Sequence, residues 1–228
     1  MDNKEGAVVI FSGGQDSTAC LFWAAEKFGK ENLIAMTFSY GQRHFEETAA
    51  AAQICQKHGF KQIIVPIDIY SSLAKNPLFE NACALLDEEL KIQVDEGKQF
   101  PNTFVPARNL LFLTYGTVLA SFYGVKNLVI GVSQVDFSGY PDCRDDFIQK
   151  MNAAISSAMG EEFKIHTPLI DLSKAQTWKL VADLGVFEIV KNETLTCYNG
   201  IKADGCGVCP ACRLRKNGLI EYEKAFKD

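Results

Sequence analysis

The chain has 228 residues, 47% of them hydrophobic and 22% charged, with a net charge of −5. That length and composition suit one sizeable globular domain, with or without a small appendage, and exclude disorder as the main state. The acidic balance disfavours a nucleic acid as main partner, because a polyanion held by its phosphates calls for a basic surface; a small-molecule substrate is favoured.

Met1-Asp2-Asn3-Lys4-Glu5 has neither the basic region nor the apolar stretch of a signal peptide. No uninterrupted apolar run approaches the roughly 18–20 residues that span a bilayer. The expectation is a soluble cytoplasmic protein. Ala7-Val8-Val9-Ile10-Phe11 is a short apolar run ending in Ser12-Gly13-Gly14, the pattern of a buried parallel strand feeding a turn. A helix is expected from Asp16 to Phe28, stopped near Gly29. Leu33 to Phe38 reads as a second strand, Arg43 to His58 as an alanine-rich helix, and Gln62 to Ile67 as a third strand. Residues 71–101 break this rhythm with polar and charged residues, which predicts a mobile loop, a lid, or a small inserted helix.

Order resumes at Val105-Pro106-Ala107-Arg108-Asn109, with proline expected in the first turn of a helix running to Tyr123. Leu128 to Val132 and Ile165 to Leu169 are the fourth and fifth strands. Helices are expected at Asp145 to Met159 and from a Ser173 cap to Leu184, closed by Gly185. Strands of the fully buried type alternating with helices predict an α/β fold, a doubly wound five-stranded parallel sheet with right-handed crossovers. The expected division is an α/β domain over 1–190 and a metal-binding C-terminal segment over 191–228.

Two strings carry chemistry. Phe11-Ser12-Gly13-Gly14-Gln15-Asp16-Ser17-Thr18 places glycines where the backbone approaches an anion and then opens a helix, whose first N–H groups lack partners. Ser12 and Ser17 add hydroxyl donors, and Asp16 either holds Mg²⁺ or caps the helix. The string has no Gly-Lys-Ser/Thr, so it is not a Walker loop. The second string holds four of the eight cysteines, Cys197, Cys206, Cys209 and Cys212. Cys-x2-Cys spacing lets sulfurs share one ion, so a closed, structural Zn²⁺ site is the favoured reading and an iron–sulfur cluster the alternative. Gly205 and Gly207 supply tight turns, and Arg213 and Arg215 are candidates to balance the thiolate charge.

The first string resembles the SGGxDS signature of the PP-loop ATP pyrophosphatases. Four further motifs narrow the resemblance: Ser39-Tyr40-Gly41-Gln42-Arg43-His44, Thr103-Phe104-Val105-Pro106-Ala107-Arg108-Asn109, the run from Gly131 to Arg144, and the cysteine tail. Together, over essentially the whole chain, they are similar to the 7-cyano-7-deazaguanine synthase family of the queuosine pathway. Departures are slight, at Val135 and Phe137.

That resemblance implies an ATP-dependent ligase that turns 7-carboxy-7-deazaguanine and ammonia into a nitrile through adenylated acid and amide intermediates. It implies ATP phosphates and Mg²⁺ on Ser12, Gly13, Gly14, Gln15, Asp16 and Ser17, with Phe11 and Thr18 flanking them, and adenosine near Thr37 and Phe38. Asp16, Ser17 and Arg108 would be catalytic, and Arg108, Asn109, Asp136, Tyr140, Asp142 and Arg144 would face the substrate. Lys164 and Lys174 are further cations suited to phosphate, Cys143 reads as packing, and a homodimer is implied. The rival readings are a PP-loop tRNA sulfur-transfer enzyme and a zinc-stabilised nucleotide-binding sensor or scaffold.

Overall fold

In the first strand, β1 (Ala7–Ile10), every residue is buried, and the chain alternates between two apolar layers. Ala7 and Val9 join one core, Val8 and Ile10 the other, as the two-residue period of a strand dictates. The computed structural model describes residues 5–39, 45–67, 91–93, 99–101, 104–135 and 139–226. Within them β1 is the centre of a five-stranded sheet, ordered β3-β2-β1-β6-β7, with β2 at Leu33–Ser39, β3 at Lys61–Pro66, β6 at Asn127–Val129 and β7 at Lys164–His166. All four pairings are parallel.

Helices cover both faces. Helix α1 (Gln15–Phe28), α5 (Lys174–Asp183), α6 (Phe187–Glu193) and α7 (Pro210–Phe226) supply the first core, which includes Leu21, Trp178, Val190 and Tyr222. Helix α3 (Arg108–Tyr123) and α4 (Asp145–Met159) supply the second through Phe112, Leu113, Ile148 and Ile155. Helix α2 (Phe45–His58) adds Ala51, Ile54 and Cys55 to the first. The doubly wound parallel sheet expected from the sequence is therefore present. Strand order reverses between β1 and β6, so the chain leaves these two strands in opposite directions and opens a crevice beyond their C-terminal ends.

Several boundaries differ from expectation. The fifth strand stops at His166, not Leu169, because Pro168 has no N–H for the ladder. The fourth pairs only through Val129, although the Ile130 N–H still donates to the His166 carbonyl at 3.0 Å. Pro106 is not in a helix's first turn: the α3 N-cap is Ala107, in left-handed conformation at φ 60°. Within 71–101, two short strands, β4 (Lys91–Gln93) and β5 (Gln99–Pro101), pair antiparallel, and the lid expectation otherwise lies outside the described residues. The Ser173 cap is present as a full capping box with Gln176, and Gly185 follows the helix at φ 70°. The cysteine tail is no mere loop, since α7 packs its Tyr222 beside Trp178 and Phe187 in the main core. Among the described residues no helix is long and apolar enough to cross a membrane.

Candidate functional site

The glycine turn leaves β1 directly into α1. Gly13 takes φ 82°, and a Cβ there would meet the backbone of Ala51 on α2 at 2.8 Å, so only glycine fits. Ser17 Oγ accepts from the Ser12 N–H at 3.2 Å and shares a 3.0 Å hydrogen bond with Ser12 Oγ. These contacts tie the start of the loop to the first turn of α1. Gly14 is the N-cap, with no side-chain cap, so Asp16 does not cap the helix. Instead both Asp16 oxygens accept from Lys174 Nζ, at 2.9 and 2.8 Å. The N–H groups of Asp16 and Ser17 have no acceptor among the described residues.

A second loop closes on the first. A Cβ at Gly131, just beyond β6, would lie 3.1 Å from the Asp16 carbonyl, so glycine lets these two loops touch. Phe11 and Thr18 are buried beneath the turn and serve it through packing. Among the described residues the amide of Gln15 and the hydroxyl of Thr18 are buried without a hydrogen-bond partner, an uncommon condition for polar groups beside such a turn. Thr37 accepts from Gln62 Nε2 at 2.8 Å, and Phe38 stacks on Phe112 at 4.0 Å, so both side chains belong to the core.

The remaining predicted residues gather at the start of α3. Asp142 Oδ2 accepts from the Asn109 N–H at 3.2 Å and the Asp142 carbonyl from Asn109 Nδ2 at 3.1 Å, tying the Tyr140–Arg144 turn to the helix. Burial pushes the Asp142 carboxyl up, against the pull of the Asn109 N–H and the Arg108 charge. Asn109 thus positions the turn. Arg108 is half-buried and faces Glu47, Asp142 and Tyr198 electrostatically. Tyr140 lies 5.6 Å from Phe104, ring to ring. Arg144 stands exposed at the N-cap of α4, and Asp136 lies outside the described residues. Asn109 Nδ2 lies 3.5 Å from Cys143 Sγ, so this cysteine is part of the turn's packing.

Sequence reasoning missed Glu47 and Tyr198. Burial raises the Glu47 carboxyl, with Arg108 opposing, and raises the Tyr198 phenol, with Tyr140 adding to the effect. Glu47 has no sequence signal beyond lying in a helix's first turn; Tyr198 adjoins the first tail cysteine.

That tail brings the four predicted cysteine sulfurs within 4.8 Å of one another. Gly205 takes φ 68° and leaves room for Cys212 Sγ that a Cβ would fill. Backbone N–H groups of Asn199 and Cys206 donate to Cys197 Sγ at 3.3 and 3.4 Å, and that of Cys209 to Cys206 Sγ at 3.4 Å. Burial and the neighbouring Cys209 and Cys197 sulfurs push the Cys212 thiol up to about 12. Four sulfur donors this close together fit the ligand set of one metal cation.

The family described as "Queuosine biosynthesis protein QueC" matches residues 6–223. A 7-cyano-7-deazaguanine synthase from Clostridium acetobutylicum is 50% identical over 226 residues, covering 99% of this chain and 98% of its own. Proteins of the same name from Lysinibacillus sphaericus and Bacteroides fragilis are each 51% identical, over 96% of both chains. Among solved structures, a predicted tRNA methyltransferase subunit from Methanocaldococcus jannaschii aligns over 78% of this chain and 74% of its own, with TM-score 0.47 and 19% identity, too loose a likeness to bear on function.

Proposed function

The chain belongs to the QueC family of queuosine biosynthesis proteins, and on that footing we propose that it converts 7-carboxy-7-deazaguanine and ammonia into 7-cyano-7-deazaguanine at the expense of ATP. The observation that carries the reading is the loop after β1, where the Asp16 and Ser17 N–H groups lack acceptors among the described residues and Asp16 pairs with the Lys174 cation. Such a cradle suits the pyrophosphate end of ATP. A carboxylate is a poor electrophile, so its oxygen first attacks the α-phosphorus and expels pyrophosphate, whose growing charge the loop N–H groups and Lys174 stabilise. Ammonia then displaces AMP and gives the amide. The amide oxygen then attacks the α-phosphorus of a second ATP, expelling pyrophosphate as the nitrogen gives up one proton; loss of AMP and of the remaining N–H proton leaves the nitrile.

Asp16 would be the carboxylate that holds the Mg²⁺ accompanying ATP, an ion that would neutralise charge on the departing pyrophosphate. Arg108 offers the two parallel N–H donors that match the substrate's carboxylate. Glu47, Tyr140 and Asp142 lie around that guanidinium or its turn, which supports placing the deazaguanine there. The deazaguanine acid carrying ¹⁸O in its carboxylate tests the scheme: both oxygens should leave on AMP, one per nucleotide. Label found in phosphate, with ADP formed, would replace adenylation by phosphorylation.

For the tail we assign zinc. At a Zn–S bond of about 2.3 Å, sulfurs around one tetrahedral ion lie about 3.8 Å apart, compatible with the observed cluster. An iron–sulfur cube puts each sulfur on a different iron and spreads them wider. With four protein ligands the ion has a structural role, and the segment 191–228 serves the ATP-binding unit 1–190. A cytoplasmic homodimer completes the proposal; the exposed apolar side chains of Leu110, Tyr115, Val118 and Phe122 on α3 offer a surface for it.

A further inference from the structure

The tail reaches the phosphate loop through Thr196, the residue before the first tail cysteine. The Leu195 N–H donates to the Gly13 carbonyl at 3.0 Å. Thr196 Oγ1 accepts from the Gln15 N–H at 3.1 Å and from Arg215 Nη1 at 3.1 Å. A hydroxyl has two lone pairs and one proton. With both lone pairs taken, the proton must point away from both donors, and it has no acceptor among the described residues. Thr196 is half-buried at the mouth of the turn.

Arg215 is what fixes this arrangement. It is 4% exposed. Its guanidinium also donates to Thr194 Oγ1 at 2.6 Å and to the carbonyls of Val190 and Lys191 at 2.9 and 2.8 Å. It lies one turn beyond Cys212 on α7, and its carbonyl accepts from Trp178 Nε1 at 3.2 Å. One buried helix stripe therefore joins a metal-site cysteine to the group that orients Thr196.

We propose that Thr196 is a phosphate-binding residue, donating its hydroxyl proton to an oxygen of bound ATP, and that Arg215 is the positioning residue that aims it. The inference rests on the ATP-dependent reading of the same site and adds a donor from outside the glycine loop. It also couples the metal knuckle to the nucleotide: ATP held by Thr196 restrains the segment carrying Cys197, so it slows metal loss.

The test compares the zinc-loaded wild type with Thr196→Val, which keeps the shape, and Thr196→Ser, which keeps the hydroxyl. Thr196→Val is expected to raise the KM for ATP about tenfold, the size of a lost hydrogen bond to a charged group, while the KM for the acid stays within about twofold. Thr196→Ser should restore the wild-type value. Release of zinc to a colorimetric chelator should slow when ATP is added to wild type and to Thr196→Ser, and not in Thr196→Val. An unchanged KM for ATP in the valine variant overturns the proposal. Should that variant not fold, zinc release from wild type indifferent to ATP overturns it as well. Wild-type turnover in the same assay is a separate readout: its absence refutes the ATP-dependent reading itself.

Discussion

On α7, Gly218 faces Lys174 so closely that a Cβ there would lie 2.5 Å from Lys174 Cβ, 2.7 Å from its Cγ and 3.0 Å from its carbonyl carbon. Helix propensity alone favours Gly218→Ala, by about 1 kcal/mol. The new methyl meets the root of a side chain and a backbone atom, neither of which swings aside, so α5 and α7 must separate. Overpacking of this kind costs about 1–3 kcal/mol, and contacts under 3 Å place it at the upper end. The expected net loss is about 2 kcal/mol, or about 4–8 °C in Tm for a chain of this size. Asn217→Ala, at an exposed neighbouring position, is the control and should leave Tm unchanged or slightly higher. Calorimetric or fluorescence melting of zinc-loaded protein reads both. Because Lys174 carries the ion pair to Asp16, the alanine variant should also bind ATP more weakly. A Tm equal to or above wild type would refute the reasoning and show that the two helices have slack.

Three further outcomes follow from other parts of the molecule. His166 Nε2 donates to Asn127 Oδ1, and burial, then the Lys27 and Lys164 charges, depress its pKa to about 4. The folded state holds it neutral while the unfolded chain protonates below about 6.5, so its stabilisation is present above that pH and is lost on acidification; urea melts should lose about 2 kcal/mol between pH 7.5 and 5, and His166→Gln should flatten that slope. Cys212→Ser should abolish stoichiometric zinc by elemental analysis and expose the tail to trypsin, whereas retained metal with an intact tail would contradict the four-ligand site. Phe122, 82% exposed on α3, should convert a dimer to monomer on Phe122→Lys in light scattering; an unchanged mass would place any dimer elsewhere.

The sheet was readable because each strand is a short apolar run buried on both faces, and the glycine turn because its residues have little other use together. The four cysteines announce themselves by spacing. Helix α7 was not readable: its buried stripe is Cys212, Arg215, Gly218 and Tyr222, which shows no apolar period. Helix α6, seven residues long, is too short for periodicity to show. Arg215 was legible as a counter-charge for the tail cysteines, and Cys212 does act on it electrostatically; that it also ties Thr194, Thr196 and two carbonyls together was not. Thr196 and Glu47 act through distant partners, Gln15 and Arg108, and no local pattern reports a contact across more than sixty residues. Lys174 was legible as a cation but not as the partner of Asp16, because that pairing exists only once α5 packs beside α1.

The most direct test of the central claim is mass spectrometry of a reaction containing zinc-loaded protein, 7-carboxy-7-deazaguanine, ATP, Mg²⁺ and ammonium. The account predicts the nitrile, with two AMP and two pyrophosphate for each molecule formed and the amide as a transient. Persistence of the acid, with no AMP produced by folded protein, would contradict it.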